Sequence, residues 1–348
     1  MKKKIPIVCI GSGWVVSHRH IPALIKCGRY EITGIVGQQV QFLESVAKKY
    51  IIPNIFKGDA TKNIDWLDHC DAVMIGADPM SHYKLVKFCL ENNKHVLVEK
   101  PFTLSINQSK KLVALAKDKH LKLSIVHNFQ FSDSALKLDK DIKQGKLGAI
   151  RGLHAMQLGN SKRRLPIWYE DLPWGLFFDE SPHLLYLLEK YGKGVKLISS
   201  SKVDSTSGLQ TPALVNAIFK TGSGVPASLY LNFEASLSEW YLLIYGDKRL
   251  GILDIFRDIY FSLPNDNGHK SLDIIQTSGL TIGGHLLGTL ISGVKELKKD
   301  HLYGNDVVAT EFADYIQNNQ KPKGISPENA LHVNQLQFEI IIKANKGV

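Results

Sequence analysis

The run His95-Val96-Leu97-Val98-Glu99-Lys100-Pro101 carries three consecutive apolar residues and then stops at two charges and a proline. Three apolar residues in a row read as a strand buried on both faces, the pattern of a parallel sheet. Proline has no backbone N–H and cannot continue a central strand, so the chain leaves the sheet at Pro101. In open α/β sheets, ligands sit beyond the carboxyl ends of the strands. Lys100 is therefore placed where a cofactor and a substrate would meet. A lysine after a strand is as often plain surface charge, so the flanking sequence has to decide between the two.

Upstream, Ile5 to Ile10 is a short apolar strand that runs into Gly11-Ser12-Gly13-Trp14-Val15-Val16, and a helical pattern follows through Ile21, Leu24 and Ile25. Strand, glycine turn and helix together form the setting of a dinucleotide-binding turn. Gly11 permits the tight turn, and Gly13 lets the backbone approach a pyrophosphate at the helix N-terminus. Val16 stands at the third small position, so the fingerprint is incomplete and an ordinary glycine-rich turn remains the plain alternative. The branched side chain is expected to push the pyrophosphate outward. Glu31 to Val36 is a second strand and Gln41 to Tyr50 a helix. The acid that usually closes the second strand and bonds the ribose 2′-hydroxyl is absent from Val36-Gly37-Gln38-Gln39. No cation stands there for a 2′-phosphate either, which favours NAD over NADP.

Asp71 to Ile75 is a third strand, ending in Gly76-Ala77-Asp78-Pro79-Met80-Ser81-His82, with Ser81 expected to cap the next helix. A helix over Leu112 to Lys119 and a strand over Lys122 to Val126 lead to His127-Asn128. Strands alternating with helices predict an α/β Rossmann-type, doubly wound parallel sheet over residues 1–128. The candidate dinucleotide contacts lie on the strand-end turns. They are Gly11, Ser12, Gly13, Trp14 and Val15 on the first, Gln38 on the second, and Asp78, Pro79 and His82 on the third. Glu99 and Lys100 follow on the fourth, and Asn128 on the last.

The chain has 348 residues, which points to two domains. Its 44% hydrophobic and 22% charged content is that of a globular protein with a sizeable core. The net charge of +10 suits anionic small molecules, but no nucleic-acid module accompanies it. Cys9, Cys27, Cys70 and Cys89 are far apart and form no Cys-x-x-Cys pair, so no metal centre or redox dithiol is expected. Reduced core thiols and the lack of a cleavage-type leader predict a cytoplasmic protein. No uninterrupted run approaches the roughly 18 apolar residues of a membrane span.

In the second half, Phe131 to Gln144 reads as a helix and Ala149 to Leu158 as a strand. A polar, aromatic loop from Gly159 to Gly175 then holds Lys162, Arg163, Arg164, Trp168 and Trp174. Arg suits bidentate contacts to phosphate or carboxylate, and Trp faces suit sugar rings. Arg163, Arg164, Trp168 and Trp174 are thus candidate substrate contacts, against the alternative of a solvated charge run. In Asp179-Glu180-Ser181-Pro182-His183, Pro182 fits the first turn of a helix, with Asp179 and His183 flanking its start. Strands over Leu214–Phe219, Ala227–Phe233, Trp240–Tyr245 and Gly251–Phe256 suggest a C-terminal α+β domain, residues 129–348, with a mostly antiparallel open sheet. Apolar residues on both alternations, as in Leu229-Tyr230-Leu231 and Leu242-Leu243-Ile244, predict a covered second face and hence a homodimer or homotetramer. The apolar, Gly-rich stretch Thr281 to Val294, followed by Lys295 to Lys299, is expected to pack on the sheet or on a partner subunit, with a membrane-surface helix as the alternative.

The glycine turn, Pro79-x-x-His82 and the strand ending Glu99-Lys100-Pro101 resemble the Gfo/Idh/MocA oxidoreductases, the glucose-fructose oxidoreductase and inositol dehydrogenase group. The likeness is most specific over Asp71-Ala-Val-Met-Ile to Pro101, and it continues past residue 148. It implies an NAD(P)-dependent enzyme that moves a hydride between the nicotinamide and a hydroxyl-bearing carbon of a sugar, nucleotide sugar or cyclitol. It carries the role of catalytic histidine to His183 and of sugar-binding carboxylate to Asp179; of the two candidate bases, His183 and Lys100, His183 is expected to take the proton and Lys100 to stabilise the developing alkoxide. It also implies a C-terminal sheet whose outer face makes the dimer interface. Two other activities occur among such proteins: redox-neutral glycoside cleavage with tightly held NAD, and dinucleotide sensing without turnover. Retention of both Lys100 and His183 argues against a pure sensor.

Overall fold

The computed structural model describes residues 3–163, 167–298 and 301–346. The chain divides into two compact units, Met1–Asn128 with Gly304–Gln335 and Phe129–Tyr303 with Leu336–Val348.

The first unit holds six parallel strands: β1 (Ile5–Ile10), β2 (Tyr30–Gly37), β3 (Asn54–Lys57), β4 (Ala72–Ile75), β5 (His95–Val98) and β6 (Leu123–Ile125). Their order across the sheet is β3-β2-β1-β4-β5-β6, with every pair parallel. This is the doubly wound arrangement, whose strand order reverses between β1 and β4. All four residues of β4 are buried, as are the last three of β5, as expected for strands covered on both faces. The helices α1 (Ile21–Cys27), α2 (Val40–Tyr50), α3 (Pro79–Glu91) and α4 (Ile106–Asp118) supply the crossovers. Leu85, Val86, Cys89 and Leu90 of α3 join Leu112 and Ala116 of α4 in the core against β4, β5 and β6. β3 has only four residues at the sheet edge, too few for a period to stand out in the sequence.

Residues 304–335 pack with this unit, which the reading of 129–348 as one domain did not separate. They contain α8 (Asn305–Asn318) and the start of α9 (Pro327–Asn345). Arg29 binds Asp314 at 2.6 Å and Gln317 at 2.6 Å, the Tyr30 hydroxyl donates to Ala309 O at 2.7 Å, and Ile125 N donates to Ile325 O at 3.0 Å. Such tertiary bonds carry no local signature.

The second unit is built on seven strands: β7 (Ile150–Asn160), β8 (Lys196–Val203), β9 (Leu214–Lys220), β10 (Pro226–Ala235), β11 (Glu239–Gly246), β12 (Arg249–Asp254) and β13 (Ile259–Pro264). Their order is β13-β12-β11-β7-β10-β9-β8, antiparallel except for β7 beside β10. One face carries Ala155, Leu229, Ala217 and Leu242, all fully buried. On this side lie α5 (Asp133–Lys143) and α6 (Leu176–Gly192). The alternate residues, among them Met156, Ile218, Tyr230 and Leu243, are half-buried on the outer face.

The stretch after Ser271 forms α7 (Ser271–Leu297), a 27-residue helix with no buried residue. By length and composition it is long and apolar enough to cross a membrane, which corrects the expectation that no segment reaches that size. A count of consecutive apolar residues stops at each Ser, Thr, Gln or Gly, although none of them carries charge. The helix packs along β13: a Cβ at Gly284 would meet Phe261 at 2.7 Å, and one at Gly288 would meet Ile259 at 2.4 Å. Packing on the sheet, the leading expectation for this stretch, is what these contacts show.

Candidate functional site

In the first unit the site lies at the carboxyl edge of the parallel sheet. Gly11 follows β1 with φ +105°, and a Cβ there would stand 2.8 Å from Gly76 O. No other residue fits both the backbone angle and the approach of the β4 end. Gly13 differs. A Cβ on it would meet no atom of the protein within 4 Å, so the space over the turn is open for a ligand's phosphates. Trp14 is 59% exposed beside it, with the Arg19 guanidinium 5.1 Å from its ring centre. Val16 turns inward: it is fully buried, and a Cβ on Gly76 would stand 2.3 Å from its methyl. The bulk at the third position is thus absorbed by a glycine at the end of β4, and the expectation that it faces the pyrophosphate is corrected. These features suit a dinucleotide with its pyrophosphate over Gly13.

Gln38 is exposed at the end of β2. Asp78, not Ser81, is the N-cap of α3: its carboxylate accepts from Ser81 N at 3.1 Å and from the Ser81 hydroxyl at 2.9 Å, with Pro79 in the first turn. An aspartate in front of Pro preorganises the turn better than a serine inside it. His82 has no exposed surface, and its ring nitrogens face Pro101 O at 2.8 Å and Ala77 O at 3.2 Å. Burial holds its pKa below the usual histidine value, against the pull of these carbonyls. A neutral ring can donate to one carbonyl only, and the shorter contact is to Pro101. Its part is to tie the turn after β4 to the turn after β5, in place of the ligand contact expected of it.

The Glu99 carboxylate accepts from Lys100 N at 2.9 Å and meets His20 Nε2 at 2.7 Å. Burial opposes its ionisation, but the hydrogen bond and charge of His20 and the charge of Lys100 outweigh that and hold its pKa below the ordinary value. The pairing fixes the backbone from which Lys100 departs. His20 pairs with the carboxylate beside Lys100 and was missed in the sequence reading, where it stands as one of the polar residues Ser17-His18-Arg19-His20. Asn128 is 8% exposed after β6.

In the second unit, α6 begins at Leu176, so Asp179 and His183 lie within the helix and not at its start. Gly175, with φ +55°, precedes it, and Leu176 N donates to the Thr211 hydroxyl at 3.0 Å. Pro182 sits in the helix interior, where it cannot donate to Phe178 O. Gln337 Nε2 donates to that carbonyl instead, at 2.8 Å, and to the Ser181 hydroxyl at 3.0 Å. A side chain from α9 thus lets α6 run through its proline. Asp179 and His183 are 6% and 7% exposed. His183 is enclosed by the rings of Phe129, 4.7 Å away centre to centre, and Trp240, 5.5 Å away. Its Nδ1 lies 3.0 Å from the Tyr186 hydroxyl oxygen, which also accepts from Phe129 N at 3.0 Å.

Two polar atoms near this histidine are buried with no hydrogen-bond partner among the described residues, Trp240 Nε1 and Gln157 Oε1. They belong to residues paired across β11 and β7. One is a donor and the other an acceptor, both on the sheet face under α6. Orphaned polar atoms of this kind are costly in a folded core unless a ligand or water meets them. The sequence had offered both as strand residues only.

Of the four loop candidates, Arg163 is committed elsewhere. Its guanidinium grips Glu180 in a fork, Nη1 to Oε1 at 2.9 Å and Nη2 to Oε2 at 3.1 Å, and Gln157 Nε2 donates to the same carboxylate. Sequence alone did not pair Arg163 with Glu180, 17 positions away, so its assignment to substrate is corrected to an internal ion pair. Arg164 lies outside the described residues. Trp168 and Trp174 are half-buried, Trp168 against Tyr169 and Trp174 against Phe177 with Lys202 Nζ 5.4 Å from its ring centre. We expect Arg163→Ala to destabilise the protein by about 1–3 kcal/mol by stranding Glu180. Adding Glu180→Gln should recover most of the loss, as read by thermal denaturation. An unchanged midpoint for the single variant would show the pair to be energetically silent.

The family profile described as "Oxidoreductase family, NAD-binding Rossmann fold" matches residues 5–127. Among curated proteins, the chain is 27% identical over 190 residues to the uncharacterized oxidoreductase YdgJ of Escherichia coli (strain K12), covering 53% of each chain. It is 32% identical over 98 residues to the UDP-N-acetylglucosamine 3-dehydrogenase of Acidithiobacillus ferrooxidans, covering 28% of this chain and 30% of that one. The chain thus spans about half the length of the first relative and less of the second. Among solved structures it superposes on the WlbA dehydrogenase of Bordetella pertussis, in complex with NADH and UDP-GlcNAcA, with a TM-score of 0.78 and 16% identity over 100% of this chain and 97% of that one. At that identity the likeness speaks to fold alone. Sheet order, the glycine turn and the profile agree over residues 5–127: this part of the first unit matches the Gfo/Idh/MocA oxidoreductase family and carries the NAD-binding Rossmann fold.

Proposed function

We propose that the protein is an NAD-dependent dehydrogenase that oxidises a secondary hydroxyl of a nucleotide sugar, or reduces the matching ketone. The observation that carries this reading is the surroundings of His183: a buried imidazole in an aromatic enclosure, held at Nδ1 by Tyr186, close to an orphaned donor and an orphaned acceptor. A polyhydroxylated substrate offers partners for both orphans. The relatives named for UDP-sugars favour a nucleotide sugar over a free sugar or cyclitol. The stretch Val36-Gly37-Gln38-Gln39 carries no cation of its own for a 2′-phosphate, which favours NAD over NADP.

The bound dinucleotide supplies the hydride acceptor at the nicotinamide. Gly13 and its neighbouring backbone would hold the pyrophosphate, and Gln38 would reach the ribose. His183 takes the hydroxyl proton on Nε2, which requires its Nδ1–H to donate to Tyr186. The Tyr186 hydroxyl oxygen can accept that hydrogen, which leaves Nε2 as the base. Lys100 stabilises negative charge on the substrate oxygen as the proton departs. Asp179 orients the substrate. The products are a ketone, NADH and a proton.

The test is a panel of UDP-hexosamines, their uronic acids, free aldoses and inositols with NAD⁺ or NADP⁺, read as absorbance at 340 nm. A UDP-sugar should lead the panel. Cleavage of an aryl glycoside without net NADH would replace the reading with redox-neutral hydrolysis. Cofactor binding with no turnover on any compound would replace it with a sensor.

The outer face of the seven-stranded sheet supports a homo-oligomer, with Met156, Ile218, Tyr230 and Leu243 half-buried on it. Light scattering at micromolar concentration should give at least twice the 38.9 kDa chain mass. A monomer mass would sink this part of the reading.

A further inference from the structure

Helix α7 meets the sheet through Gly284 and Gly288 and turns its other side to solvent. Spacings of three and four residues place Ile275, Gly279, Ile282, Leu286, Leu290, Gly293 and Leu297 in one stripe opposite those glycines. The stripe is exposed throughout: Ile275 is 67%, Ile282 69%, Leu286 59%, Leu290 59% and Leu297 86% exposed. A Cβ on Gly279 or Gly293 would meet nothing within 4 Å. With its flanks the helix exposes eleven aliphatic side chains, roughly 1,000 Å² of apolar surface. The largest patch on a typical monomer is about 300–600 Å², and a standard interface takes about 800 Å² per partner.

The stripe is palindromic. Its spacings run 4-3-4-4-3-4, the same in both directions, with Leu286 at the centre. Reversal about Leu286 sets Ile282 against Leu290, Gly279 against Gly293 and Ile275 against Leu297. A two-fold interface must be self-complementary in this way, and glycine opposite glycine lets two helices approach closely. A lipid surface fits less well. No Asp, Glu, Lys or Arg occurs from Ile274 to Val294, whereas a helix lying in a membrane interface has a strongly charged polar face. Spanning a bilayer would strip Gly284 and Gly288 from Phe261 and Ile259.

We propose that α7 is a self-association element, pairing antiparallel with α7 of a second copy about a two-fold axis at Leu286. This pairing is separate from any contact through the outer face of the sheet.

The test uses the full-length protein. Leu286→Cys places a thiol against itself across the axis and should give a covalent dimer on mild oxidation. Ile282→Cys alone should not cross-link, because its counterpart is Leu290. A mixture of Ile282→Cys and Leu290→Cys chains should. The wild type, with its own four cysteines, gives the background. Leu286→Lys, a change at an exposed position, should halve the mass in sedimentation with an unchanged circular dichroism spectrum. Leu286→Cys that cross-links no better than Ile282→Cys, or Leu286→Lys with the full mass, would overturn the proposal. So would α7-dependent co-sedimentation with anionic phosphatidylserine vesicles by a protein that does not cross-link, which would assign the stripe to lipid.

Discussion

Lys100→Ala and His183→Ala should each slow single-turnover hydride transfer by about 10²–10⁴-fold, with little change in NADH affinity. Lys100 leaves the sheet at the end of β5 on a backbone fixed by Glu99 and His20. His183 is held inside α6 by Tyr186 and two aromatic rings. Neither placement makes the side chain a main anchor of the dinucleotide, so its loss should fall on the chemical step. Interaction with the substrate oxygen grows only as that oxygen loses its proton, the condition for lowering a barrier and not merely a ground state. The double variant should lose less than the product of the single losses, because groups that act as a unit are not additive. Near-normal transfer by His183→Ala across the pH range would move the proton-accepting role to Lys100.

Gly13→Val should abolish dinucleotide binding, seen as loss of the calorimetric signal, and leave the fold intact. Position 13 has no positive φ and no protein atom near its missing Cβ, so valine fits the polypeptide and clashes only with a ligand. Gly11 is the contrasting control. Its φ of +105° and the 2.8 Å approach to Gly76 O mean that Gly11→Val should fail to fold, not merely fail to bind. Unchanged affinity in a folded Gly13→Val protein would remove this turn from the site.

The parts of the molecule that were plain in the sequence are those set by local pattern. β1, β4 and β5 are buried on both faces and stop at Gly11, Gly76 and Pro101, so their ends and the residues beyond them could be read directly. What escaped reading depends on partners distant in the chain. Pro182 looked like the start of a helix because nothing nearby announces that Gln337 takes the carbonyl it leaves unbonded. Arg163 looked available to a ligand because its true partner, Glu180, lies across a loop and a helix turn. Val16 looked like a departure from the fingerprint, yet Gly76, sixty residues on, makes room for it. Trp240 and Gln157 read as ordinary strand residues, since an orphaned polar atom is defined by what fails to surround it. The length of α7 was hidden by uncharged polar residues that interrupt an apolar count without interrupting a helix.

The return of residues 304–335 to the first unit has a bearing on how the protein is made. A nascent chain that has reached Asn128 holds all six strands of the parallel sheet, but lacks acceptors for Ile125 N and the Tyr30 hydroxyl and a counter-ion for Arg29. Those groups come from α8 and the segment before α9, and residues 129–303 of the other unit are synthesised in between. Closing so long a loop adds little entropy cost beyond that of a moderate one, but it cannot happen before the ribosome has passed Gln335. The first unit to emerge therefore waits for almost the whole chain, and Ile125 N on β6 lacks its acceptor until residue 325 has been made.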